Sequence, residues 1–430
     1  MGALVNKSYI FVGRPWELNC YNTINVVDGI LLNNLRVNVR GGSVIKITGC
    51  NDWISDKVRY LYDSLLNNRL LLPYSVDKGM VLNVSWEKLF LILFFNLEKF
   101  KKKINFLYGN LLDLESIFFS KFLMVNFGAF FSKIMKGNIM NKFNLNINDS
   151  YELIFIGGIN LRKELPLIYN KFKKPTKYTF GIQSNNNKGK DLGNNINDFL
   201  NVLEGKYREN IIFFFKKKML FLLNSRLSLK EIFLKRFNIV MKDVCLYSNE
   251  MHKVELFLNN NLWGLDGNLV YSMGADIDEK IGLKKDFLVY QGHHVIDKVK
   301  YLNVLIPSVT FFEKSGFYMN FKCEMKSSTC VLKCEKEIKD DWSILNALYE
   351  YIDVYSKEIF LDKKSLFKKI KANFFVGSEL ILRLYVKATE FFLIKIDVVD
   401  GVECFYNMDN LSIFSKLVNT KKRLLFYKLY

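Results

Sequence analysis

The sequence predicts an α/β fold: doubly wound sheets preceded by a small β-rich module. Three observations predict it. Apolar runs of strand length recur and end in glycine or a polar turn, as in Tyr151-Glu152-Leu153-Ile154-Phe155-Ile156-Gly157-Gly158. Longer segments with helix start signals lie between them. Ahead of both, alternating β-branched residues flank Gly41-Gly42, which reads as a hairpin.

In chain order, residues 37–47 carry that hairpin and residues 53–67 read as helical, with Pro73 closing the module at about residue 75. Ser85 is a plausible N-cap with Glu87 in the first turn, for a helix through about Lys99. Residues 104–108 form a short strand, and residues 112–136 an amphipathic stretch. Residues 151–158 form a buried strand, followed by a helix over about 161–173. Residues 269–276 and 287–290 repeat the strand-then-turn form. Residues 184–197, polar and Gly-containing, read as a linker or surface loop. The expected organisation is a module at 1–75, an α/β domain at 76–345 and a helical and mixed segment at 346–430.

With 430 residues, 50% hydrophobic and 15% aromatic, the chain can bury sizeable cores and is not of disordered composition. The formal net charge of +19 raises nucleic acid or an anionic membrane as partners. The basic clusters Lys101-Lys102-Lys103, Lys216-Lys217-Lys218 and Lys421-Lys422-Arg423 are dispersed, however, and sit beside apolar stretches. Solvated faces, or rims facing acidic partners, explain them better than one basic module. The surplus of Phe, Ile, Asn and Lys with only 5 Pro reflects coding bias as much as function.

The apolar runs at 89–95 and 211–215 fall far short of the ~20 residues of a membrane span. No Arg-rich, acid-poor amphipathic leader opens the chain, so the expectation is that it is made inside the compartment where it works, or that it is cytoplasmic. Seven scattered cysteines read as reduced thiols.

Several blocks carry a family resemblance. Gly13-Arg14-Pro15-Trp16-Glu17-Leu18 and Asp52-Trp53-Ile54-Ser55-Asp56-Lys57-Val58-Arg59-Tyr60 open the series. Ile156-Gly157-Gly158-Ile159-Asn160-Leu161-Arg162, Tyr290-Gln291-Gly292-His293-His294 and Glu313-Lys314-Ser315-Gly316-Phe317-Tyr318-Met319-Asn320 continue it. Asp341-Trp342-Ser343-Ile344-Leu345-Asn346-Ala347-Leu348 and Phe405-Tyr406-Asn407-Met408-Asp409-Asn410-Leu411-Ser412 complete it. In that order they resemble the large iron–sulfur subunit of respiratory complex I, NADH:ubiquinone oxidoreductase, whose α/β part is similar to molybdopterin oxidoreductases. Residues 181–251 match poorly.

The resemblance implies a split subunit. Family members carry a Cys-Pro-Val-Gly-Ala-Leu segment closing an iron–sulfur ligand run, and Met1 stands here at the Val. The expectation is therefore a cysteine-rich iron–sulfur fragment on a separate polypeptide, packed against residues 1–75. Iron–sulfur clusters and FMN are expected on partner chains, a flavoprotein among them, with no cofactor in this chain. The expected location is the matrix-facing peripheral arm at the mitochondrial inner membrane, with an organelle gene, no nucleic-acid partner and no membrane span.

Each candidate site residue also has a plainer role. Cys323, Cys330 and Cys334 lack the close spacing and fourth ligand a cluster needs. Cys20 and Cys50 are too few for the extra cluster of some relatives. His293-His294 and the lone His252 read as a polar turn and an isolated side chain rather than zinc ligands or a base. Asp276 and Asp278 follow a strand, where doubly wound folds bind ligands, but a helix-capping turn suffices. Gly157-Gly158 could receive a phosphate at a helix N-terminus yet lacks a dinucleotide or P-loop pattern. No catalytic, cofactor-binding or metal residue is therefore assigned, and the pterin site of active relatives is expected to be vestigial. The competing reading is an active molybdopterin-dependent oxidoreductase, similar to formate dehydrogenase.

Overall fold

The computed structural model describes residues 9, 11–28, 31–50, 53–77, 80–127, 129–131, 153–157, 167, 169, 176–180, 190–191, 219–224, 241–244, 267–275, 285–294, 301–320, 325–334, 338–352 and 410–419. It opens on an antiparallel sheet of β1 (Asn19–Ile24), β2 (Asn34–Arg40) and β3 (Ser43–Gly49). Leu35, Val37 and Val39 of β2 point inward while Asn34, Arg36 and Arg40 face out, the period-two pattern of a half-buried strand. Gly41 and Gly42, at φ 56° and 80°, supply the left-handed pair that a two-residue hairpin needs.

The expected helix over 53–67 is instead two short pieces, an α-turn Asp56–Arg59 and a 3-10 helix Leu61–Leu66. Ser55 caps the first through Val58 N–H, and Tyr60, at φ −111° and ψ 7°, breaks the run. The module's core does not close on itself. Leu35, Val37, Ile47, Val58 and Leu61 pack in one cluster with Phe311, Phe312, Tyr318 and Leu411.

A seven-stranded sheet dominates the rest. Its strands are β4 (Tyr74–Asp77), β5 (Met80–Asn83), β6 (Ile104–Tyr108), β7 (Phe130–Phe131), β13 (Leu269–Met273), β14 (Phe287–Gly292) and β15 (Val304–Pro307). Their order is β5-β4-β15-β14-β13-β6-β7. The run from β15 to β7 is parallel, and the β4–β5 hairpin is added antiparallel. β6, β13 and β15 are buried throughout, as strands covered on both faces must be.

The helix Trp86–Lys99 forms as its cap predicts: Ser85 Oγ accepts from Lys88 N–H at 3.4 Å. Leu89, Phe90, Leu93 and Leu97 make its buried stripe. The helix Leu114–Phe127 corrects the amphipathic reading of 112–136. Ile117, Phe118, Phe119, Leu123 and Met124 are all core, Ser116 and Ser120 are buried too, and the chain then becomes β7. Burial on nearly every side follows from its position between the sheet and the helix Asp341–Ile352, where Phe119 meets Tyr349 edge-on at 5.9 Å. That last helix runs across position 345.

A second, all-parallel sheet contains β8 (Leu153–Gly157), β9 (Thr176–Phe180), β10 (Lys190–Asp191), β11 (Met219–Asn224) and β12 (Met241–Val244) in the order β10-β9-β8-β11-β12. One mixed sheet with a parallel run and one all-parallel sheet, in these orders, agree with the doubly wound expectation. A small hairpin of β16 (Phe317–Met319) and β17 (Met325–Ser327) completes the described elements, with a C-terminal helix at Asn410–Phe414. The expected helix over 161–173 and the apolar run 211–215 lie outside the described residues.

Candidate functional site

Open α/β sheets bind ligands at the carboxyl ends of strands where the order reverses. In the large sheet that point lies between β6 and β13, because β7 follows β6 on one side while β13, β14 and β15 extend the other. There the backbones touch. Gly109 N–H donates to Met273 O at 2.8 Å, and a Cβ built on Gly109 would sit 2.1 Å from the Gly274 carbonyl oxygen. Gly274 has φ +62°, so both glycines are demanded by geometry.

Beside this contact lies a connected polar cluster. Tyr271 OH on β13 donates to Gln291 Oε1 on β14 at 2.7 Å, and Gln291 Nε2 donates to Asp341 Oδ1 at 2.9 Å. Asp341 opens its helix, where a carboxylate also favours the helix dipole. Lys314 Nζ bridges Asp341 Oδ2 and Asp113 Oδ1, each at 2.8 Å. Ser116 Oγ donates to Asp113 at 2.8 Å, and Glu115 accepts from Phe317 N–H. Lys314, Asp113 and Asp341 side chains are 2%, 1% and 5% exposed.

Burial opposes the Lys314 charge, but the two carboxylates outweigh it and hold the ammonium well above the usual lysine value. Burial likewise raises the Tyr271 and Tyr318 hydroxyls, so both stay protonated. The arrangement is a set of satisfied internal ion pairs. It offers neither an exposed nucleophile nor a base poised toward solvent.

His293 and His294 follow directly on β14, at the carboxyl end expected, and both are buried. Their Nδ1 atoms lie 2.5 Å apart, and His294 Nε2 lies 2.9 Å from Ser64 O. A donated Nε2–H makes His294 Nδ1 the acceptor of that pair. His294 stacks on Phe414 at 5.1 Å, so the pair joins sheet, first module and C-terminal helix. Burial first, then His294, Arg69 and Lys314, push the His293 pKa well below its usual value. Arg69, next to this junction, holds Glu313 through two contacts of 2.7 and 3.0 Å.

The remaining candidates do not converge. Cys20 and Cys50 lie on the first module, each placed to donate to an asparagine, Asn38 and Asn22 respectively. Cys330 Sγ donates to the Glu313 and Leu332 carbonyls, and Cys334 is exposed. Among the described residues no group of His, Cys, Asp or Glu could hold a metal ion. Gly157 ends β8 at the reversal of the second sheet, between β9 and β11. Gly158, His252, Asp276, Asp278 and Cys323 lie outside the described residues. Sequence reasoning missed the Lys314–Asp113–Asp341 cluster. Its signals were Lys314 and Asp341 inside two separate family blocks, and the partners of Lys314 lie 201 and 27 residues away.

Comparison with known proteins agrees with the fold. A family model described as molybdopterin oxidoreductase matches residues 222–351. The NADH-ubiquinone oxidoreductase 75 kDa subunit of Acanthamoeba castellanii is 30% identical over 81% of this chain and 58% of its own length. The subunit of that name from Reclinomonas americana is 26% identical over 82% of this chain and 60% of its own length. The mitochondrial NADH-ubiquinone oxidoreductase 78 kDa subunit of Candida albicans is 26% identical over 83% of this chain and 56% of its own length. The chain thus spans rather less than two thirds of the curated relatives it matches.

The family description implies a pterin cofactor. At the reversal of the large sheet the residues do not fit one: Gly109 and Gly274 are in backbone contact, and the polar atoms of Lys314, Asp341 and Gln291 are committed to one another. Over about four fifths of its length the chain is a homologue of the NADH-ubiquinone oxidoreductase 75 kDa subunits, and it carries a molybdopterin oxidoreductase domain of mixed α/β architecture.

Proposed function

We propose that the chain is a structural component of the NADH-oxidising peripheral arm of respiratory complex I. The observation that carries this reading is the similarity to complex I 75 kDa subunits over about four fifths of the chain. The chain scaffolds an electron-transfer route whose iron–sulfur clusters and FMN sit on partner chains, and it contributes no redox centre of its own. Electron transfer needs closely spaced cofactors. The self-satisfied ion pairs at the sheet's reversal support a packing role rather than an active pterin site.

In this reading, residues 1–75 face a cysteine-rich iron–sulfur polypeptide. Phe11, Trp16 and Trp53 support that assignment, since they are 90%, 81% and 84% exposed, with Leu66 at 80%, on a module that buries Leu35, Val37, Ile47, Val58 and Leu61. Large exposed aromatics beside Arg14 and Arg40 are the residue types that dominate protein interfaces. The arm faces the mitochondrial matrix, and the gene is organellar. No helix among the described residues is long and apolar enough to cross a membrane, which is compatible with a peripheral position.

A pull-down of the chain from native membranes tests the proposal. It should recover complex I subunits, with a cysteine-rich iron–sulfur polypeptide among them. Recovery of the chain alone, or with RNA released by raised salt, would contradict it.

A further inference from the structure

The cluster at the reversal of the large sheet has the core of a cation site: two carboxylates hold one ammonium, and one of them is bound in turn by the Gln291 amide, which Tyr271 OH caps. Its cation comes from the chain itself. Lys314 reaches it from the segment before β16, Asp113 from the turn before the helix Leu114–Phe127, and Asp341 from the start of another helix. Tyr318 is fully buried, its hydroxyl has no hydrogen-bond partner among the described residues, and it lies in the field of Lys314, Asp113, Glu115 and Asp341. A buried hydroxyl in that position is unusual unless the site is built for a polar group.

We infer that the crevice is a primary-ammonium site loaded in cis, with Lys314 as its permanent ligand, so that removing the lysine side chain leaves a site able to take a small alkylammonium ion. This rests on the scaffold reading, because a crevice filled by its own lysine has no vacancy for a cofactor. Two buried carboxylates facing each other without a cation would repel and lack solvation. The lysine therefore fastens three segments that are remote in sequence.

Lys314→Ala in the assembled complex removes the outline of n-propylammonium and tests the inference. The melting temperature should fall by on the order of 10 °C. Added n-propylammonium chloride should recover at least half of that loss. Sodium chloride at equal ionic strength, and tetramethylammonium with its charge but no N–H donor, should not. Recovery equal in all three salts would overturn the inference. Should Lys314→Ala not accumulate, the neutral set Lys314→Met, Asp113→Asn and Asp341→Asn replaces it. This set should accumulate where Lys314→Met alone does not, and equal loss in both would overturn the inference. The scaffold reading fails on a separate readout, stoichiometric molybdenum in the unmodified complex, so the two failures are distinguishable.

Discussion

Replacing Gly109 by alanine probes the closed crevice directly. The new methyl would stand 2.1 Å from the Gly274 carbonyl oxygen, 2.4 Å from its carbon and 2.9 Å from Ala275 N, all backbone atoms that no rotamer change can move. The ends of β6 and β13 must separate by roughly 1 Å to restore ordinary contact. That movement breaks the 2.8 Å Gly109 N–H to Met273 O bond, worth about 1 kcal/mol. Overpacking a buried junction adds about 1–3 kcal/mol. The expected total is about 2–4 kcal/mol. Gly41→Ala is the control: it has open space around it but φ +56°, and should cost only about 1–2 kcal/mol. Denaturant unfolding of the purified chain would measure both. A Gly109→Ala variant no less stable than wild type would show that the strand ends are not in contact and that the crevice is open.

Acid should weaken the three-way junction at the paired histidines. His293 has a folded pKa below its unfolded value near 6.5, so its contribution is complete above that pH. It is lost as pH falls from about 6.5 toward the depressed folded value. A melting-temperature profile that is equally steep in wild type and His293→Gln would refute this. Arg69→Ala should destabilise by about 3 kcal/mol, since it leaves Glu313, which is 12% exposed, without its cation and held by Thr310, and a loss under about 0.5 kcal/mol in urea melts would contradict that. Trp16→Ala with Trp53→Ala should leave the melting temperature of the isolated chain within about 2 °C of wild type, because both rings are solvent-exposed. The same pair should sharply reduce recovery of partner polypeptides in the pull-down, and unchanged recovery would count against the proposed docking face.

Much of the architecture was legible because its signals are local. The Gly41-Gly42 hairpin, the Ser85 cap and the glycine-terminated strands each announce themselves within a few residues. Where local pattern misled, a distant partner was the cause. The helix Leu114–Phe127 is apolar on nearly every side, the pattern of a buried helix, and the helix Asp341–Ile352 is one of the elements that cover it. β11 and β12 are short strands whose identity comes from pairing with β8 and with each other. The ion cluster was invisible for the same reason. Lysine and aspartate are ordinary surface residues until topology brings Asp113, Lys314 and Asp341 together at the carboxyl ends of the large sheet's strands. The histidine pair was legible in position but not in burial, which depends on Ser64 and Phe414 from opposite ends of the chain.

Elemental analysis of the chain isolated from native complex I tests the central claim most directly. A scaffold without a redox centre of its own should carry neither molybdenum nor tungsten, while iron and acid-labile sulfide stay with the partner polypeptides. One molybdenum or tungsten atom per chain, retained through purification, would contradict the account and restore the reading as an active molybdopterin-dependent oxidoreductase.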